Sequence, residues 1–131
     1  MVLIAGDLQV WGQNLAAVTS LLFGLLALWR PRGMAHSLSF ELRGSRGRAE
    51  FRIGFGGFMI GLAAFVLWAQ HPMAFAALGF LWLGGAAGRV FVWMIDQPVL
   101  DRSYLMIFLF ELAHAALLLW YQVFQWYSGR V

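Results

Sequence analysis

Four long apolar stretches constrain this chain more than any motif in it. "LQVWGQNLAAVTSLLFGLLALW" runs from Leu8 to Trp29 and "FRIGFGGFMIGLAAFVLWA" from Phe51 to Ala69; "MAFAALGFLWLGGAAGRVFVWMI" runs from Met73 to Ile95 and "YLMIFLFELAHAALLLWYQVFQWY" from Tyr104 to Tyr127. Each is near the roughly 20 residues that a helix rising about 1.5 Å per residue needs to cross about 30 Å of hydrocarbon. Lipid offers the backbone no hydrogen-bond partner, so a spanning segment is either a helix or a strand of a closed barrel. Barrel strands alternate in polarity over short segments, and these runs do not.

Hydrophobic residues make up 62% of the chain and charged residues 11%, which leaves too little polar surface to cover a soluble core. The expected fold is therefore an all-α membrane protein, a single domain over 1–131 with four transmembrane helices in an antiparallel bundle. Pro31, "QHP" and "DQPVLD" break the chain between spans, and the last two links are short enough to make their helices neighbours. The start, "MVLIAGDLQVW", has no positive n-region, so the first span is expected to be retained.

Orientation follows from the basic residues. The net charge is +3, and all nine basic residues are arginine. Arg30, Arg32, Arg43, Arg46, Arg48 and Arg52 lie in or beside the first connection, which predicts a basic cytoplasmic loop there and both termini outside. Arg102 agrees, whereas Arg130 does not. A basic patch confined between apolar runs argues against nucleic-acid binding, and a bacterial inner membrane is the expected location. Trp11, Trp68, Trp120, Tyr121, Trp126 and Tyr127 would line the outer interface, with Trp29, Trp93 and Tyr104 at the inner one. Trp82 falls at mid-span, where it should pack on another helix. The loop itself is expected to touch anionic headgroups; the alternative is a short surface helix over "SLSFELR" with Leu38 and Phe40 inward.

Small residues recur at helical spacing: Ala16, Ser20 and Gly24; Gly57 and Gly61; Gly84 and Gly88. Lipid tails are as apolar as leucine, so close approach at such residues is expected to hold the bundle together, with Gly56, Gly57, Gly61, Gly84 and Gly88 as the packing glycines.

One charge inside the spans needs an explanation. Arg89 lies in "GGAAGRVFVWMID", where an unpaired arginine costs at least about 2.5–3.5 kcal/mol. Glu111 in the fourth span lies at a similar depth from the same side, so a bidentate contact between the two is expected. Glu50 and Arg52 at the mouth of the second span could join them. Asp96 and Asp101 sit at the inner helix ends, Asp101 as an N-terminal cap. His114, one turn beyond Glu111, completes an E-x-x-H pair, but the second pair of a di-iron site is missing. An axial ligand to a haem-like ring is a further reading; a buried, hydrogen-bonded histidine is preferred. His36 and His71 look incidental. There is no cysteine, and no nucleophile elbow, zinc motif or phosphate loop. "RIGFGG" imitates a nucleotide loop but has no strand before it. No catalytic residue, metal or cofactor is assigned.

"ELRGSRGRAEFRIGFGG", "GAAGRVFVWMIDQP" and "FELAHAALL" together resemble a family of small bacterial four-helix integral membrane proteins catalogued as a domain of unknown function. The matching positions are Glu50, Arg52, Gly56 and Gly57, then Gly88, Arg89 and Asp96, then Glu111; Phe55 replaces the family's usual tyrosine. The resemblance implies the fold and the polar constellation but no reaction. The expected role is non-enzymatic: binding a lipid or apolar ligand, or serving as an accessory subunit. Membrane lipids and other membrane-protein subunits are the expected partners. The rival is a membrane-embedded isomerase or proton-coupled carrier using Glu111, His114 and Arg89.

Overall fold

A computed structural model describes residues 2–127, with side-chain surroundings for residues 8–120 and Val123. Helix α1 covers Val2–Trp29, the short α2 Pro31–Ser37 and α3 Gly44–Phe51; a π-helical segment, Arg52–Gly57, runs directly into α4, Phe58–Ala69. Helix α5 covers Pro72–Asp96 and α6 Arg102–Tyr127. Among the described residues, Leu8–Trp29, Gly44–Ala69, Pro72–Asp96 and Arg102–Trp120 are long and apolar enough to cross a membrane. This is a multi-pass helical membrane protein.

The helix ends follow from local chemistry. Pro31 and Pro72 occupy first-turn positions, where a missing N–H costs nothing. Gln70 and Gln97 close α4 and α5 in the left-handed conformation, at φ 47° and 46°. Asp101 Oδ1 accepts from the Tyr104 N–H at 2.8 Å, the expected cap of α6. His71 is not incidental: its side chain accepts from the Met73 N–H at 3.2 Å and caps α5.

The helix that carries the second span begins at Gly44, ahead of Phe51. Arg46, Arg48 and Glu50 therefore lie on its first turns. Only Ser37 of "SLSFELR" is helical, as the last residue of the short helix Pro31–Ser37; the six residues after it are not. Leu38 packs inward as expected, against buried Ala27, Ala35 and Phe51, and is joined by Leu42; Phe40 is half exposed, with its ring edge-on to Phe51 at 6.0 Å.

Helices α5 and α6 pack most extensively, followed by α1 with the π segment and α4. The main core lies where these pairs meet, around Trp82, Phe75, Leu78, Val66 and Leu118. Ser103 Oγ donates to Ser37 O at 3.2 Å, placing the first and third connections at one end of the bundle. Phe58, Phe80 and Phe91 are 71%, 64% and 62% exposed, a degree of apolar exposure that suits contact with acyl chains rather than water.

The packing glycines are only partly the predicted ones: Gly24 and Gly56 serve, and Gly57, Gly61, Gly84 and Gly88 do not. Ala16, Ser20 and Gly24 are buried along α1 as expected. Gly57, Gly61, Gly84 and Gly88, however, are exposed, and a Cβ at Gly61, Gly84 or Gly88 would meet nothing within 4 Å. Close approach occurs at Gly56, where a Cβ would come within 3.1 Å of the Leu28 backbone, and at Gly24, within 3.0 Å of the Ile60 backbone. In the other pair Gly79 receives Leu119, and Gly85 faces Glu111.

Gly56→Ala is expected to cost about 1–3 kcal/mol through overpacking against backbone, while Gly61→Ala stays within about 0.5 kcal/mol of wild type. Thermal unfolding of both variants in detergent checks the ranking; equal effects would dismiss the α1–Gly56 contact.

Candidate functional site

Arg89 is seven residues before Asp96 at the end of α5, so about 10 Å inside its span. Its Nε lies 2.7 Å from Glu111 Oε2, with the two side chains 23% and 10% exposed. The expected pairing is present, but not as a fork. The single hydrogen bond uses Nε, and the described residues give neither Nη nitrogen a hydrogen bond.

Helix geometry explains the approach. Gly85 lies one turn before Arg89, and a Cβ there would stand 3.3 Å from Glu111 Oε1. Glycine leaves the carboxylate the room it occupies. From the other side, the Tyr104 ring stacks beneath the guanidinium, 5.2 Å from centroid to Cζ. Its hydroxyl donates to the Arg89 carbonyl at 3.0 Å. Tyr104 was expected only in the interfacial belt; the structure makes it part of the polar cluster.

Glu50 and Arg52 do not join. Both are exposed on the arginine-rich entry of the second crossing, and neither side chain forms a hydrogen bond or ion pair among the described residues. The α3 and π helices aim these long side chains outward while Phe51 and Gly56 take the inward positions.

His114 is buried, as preferred. Its Nδ1 lies 2.8 Å from the Phe110 carbonyl, which can only accept, so Nδ1 carries a proton. Nε2 lies 2.7 Å from Thr19 Oγ1, which also reaches the Leu15 and Ala16 carbonyls. Thr19 Oγ1 has one proton, for which His114 Nε2 and the two carbonyls compete. Both nitrogens are thus engaged within the bundle, and ligation of a metal or haem would require giving up one of these bonds. No group of three or more metal-binding side chains occurs among the described residues.

Other polar groups escaped the sequence reading. Trp82 Nε1 donates to Ser20 Oγ at 2.8 Å, and Gln13 Nε2 to the Leu118 carbonyl at 3.2 Å. A polar residue inside an apolar span was the available signal for Gln13, but its partner is a backbone atom that no sequence pattern marks.

Beside the ion pair lies a cleft of about 420 Å³. Its lining includes the mutually packed rings of Phe23, Trp82 and Phe110, then Phe55 and Met59, and the polar group of Arg89, Tyr104 and Glu111. Leu38 and Phe40 close it toward the first connection. Phe40 and Phe55 meet edge to face at 5.5 Å, and Phe55 stacks on Phe51 at 4.7 Å. The cleft is open rather than sealed, and His114 does not line it.

Removing one half of a buried pair leaves the other charge uncompensated. Arg89→Ala is expected to destabilise by about 3–5 kcal/mol, whereas Arg89→Met combined with Glu111→Leu should cost much less. Denaturation midpoints of the single and double variants in detergent measure this; additive costs would mean the groups do not interact.

No curated protein and no solved structure matches the chain. A family model described as "Domain of unknown function (DUF4345)" matches residues 9–122. The match includes both halves of the ion pair and every wall of the cleft, and the chain belongs to this family.

Proposed function

We propose that this protein binds an amphiphilic lipid without chemically altering it, with the apolar portion in the cleft and the polar end against Arg89 and Glu111. The observation that carries the reading is the cleft itself: about 420 Å³, apolar on most sides, with its few polar groups gathered on one wall. That is the usual composition of a small-molecule site. A pair serving only to register the helices would be enclosed by side chains, whereas this one borders open volume.

The rival reading, an isomerase or proton-coupled carrier, would need Glu111 and His114 on one accessible wall. Glu111 borders the cleft, while His114 lies outside it with both nitrogens bonded. This separation favours binding over proton exchange. The arginines that begin the second crossing add attraction for the polar surface of a bilayer.

Gly88 lines the cleft, and a Cβ there would meet nothing within 4 Å. Gly88→Phe is therefore expected to fill the cleft while leaving the fold intact. Protein purified in mild detergent should carry a stoichiometric amphiphile detectable by mass spectrometry, and Gly88→Phe should lose it. Wild-type protein that is monodisperse and carries none would overturn the proposal.

A further inference from the structure

We infer that the head group received by this cleft is zwitterionic and carries a primary ammonium, as in an aminophospholipid, rather than being a simple anion. The inference rests on the lipid-binding reading above and adds to it the chemistry of the ligand's polar end.

Charge balance is the first support. Arg89 and Glu111 neutralise each other, both largely out of solvent. An anionic ligand would leave this poorly solvated site with a net negative charge, which a low-dielectric environment penalises. A zwitterion adds no net charge.

Unused hydrogen-bonding capacity is the second support. The Nε–Oε2 bond leaves the guanidinium's Nη groups without a partner among the described residues, and Glu111 Oε1 accepts no hydrogen bond there either. The Glu111 side chain is 10% exposed and lines the cleft. One cleft thus has donors and an acceptor side by side on its lining. A phosphate can accept from the Nη groups while an ammonium donates to Oε1, and both bonds are charge-assisted. A free acid could use only the donors. A quaternary ammonium has no N–H for Oε1, although Phe40, Phe55 and Tyr104 offer it aromatic faces.

Delipidated protein in detergent can be titrated with phosphatidylethanolamine, phosphatidylcholine and phosphatidylglycerol, with bound lipid counted by native mass spectrometry. Phosphatidylethanolamine is expected to bind about tenfold more tightly than either of the others, the worth of one charge-assisted hydrogen bond. Tail-less glycerophosphoethanolamine should bind far more weakly, since it leaves the apolar cleft empty; equal binding would overturn a lipid source. Glu111→Gln removes the anion but keeps an oxygen for Arg89, and its preference should invert toward phosphatidylglycerol.

The outcomes separate the two claims. Cleft binding, abolished by Gly88→Phe, that favours phosphatidylglycerol or treats phosphatidylcholine as the equal of phosphatidylethanolamine would overturn the head-group inference and spare the lipid-binding reading. Binding of no lipid, or binding indifferent to Gly88→Phe, would overturn both. If Glu111→Gln does not accumulate, the wild-type ranking alone decides.

Discussion

The contact between Arg89 and Glu111 sets the terms for the rest of this bundle. A guanidinium cannot shed its charge, and lipid cannot solvate it, so the third crossing has to present it to a partner. That requirement selects the rotation of α5 about its axis. It explains why a glycine lies one turn away, where the carboxylate needs space, and why the fourth crossing turns its glutamate inward. Tyr104 completes the arrangement by covering the guanidinium and bonding the backbone of the same residue. What remains is an open volume bordered by the pair, and the functional reading depends on that volume.

The spans were legible because membrane thickness imposes a length that apolar runs must meet, and breakers such as Pro31 and the "QHP" link mark the gaps. The pairing of Arg89 was legible for a related reason: few side chains at its depth could match its charge. The pairing mode was not. A bidentate fork and a single Nε contact use the same residues, and only the local path of α5 past Gly85 decides between them.

The packing faces show a different limit. One residue along a helix is about 100° around it, so Gly56 and Gly57 look toward different neighbours although both are small. In a soluble helix, polar residues would reveal the outer face; here lipid-facing and core-facing positions are equally apolar. The Arg52–Gly57 segment adds a further complication, because its wider turn shifts the phase of everything beyond it. A motif written at four-residue spacing assumes regular α-geometry and fails across such a segment. Glu50 and Arg52 were placed with the ion pair on depth alone, and the direction around the helix axis, which turns both outward, was not legible.

Arg89, Tyr104 and Glu111 all belong to the α5–α6 hairpin, whereas Phe40, Phe55 and Met59 come from the segment between α1 and α5. The polar wall is therefore built on one hairpin and the facing apolar residues on another segment. Any widening or narrowing between the two hairpins alters the room for hydrocarbon while leaving the spacing of charges untouched. Tolerance for tails of different bulk and strictness toward the head would then arise from separate parts of the chain.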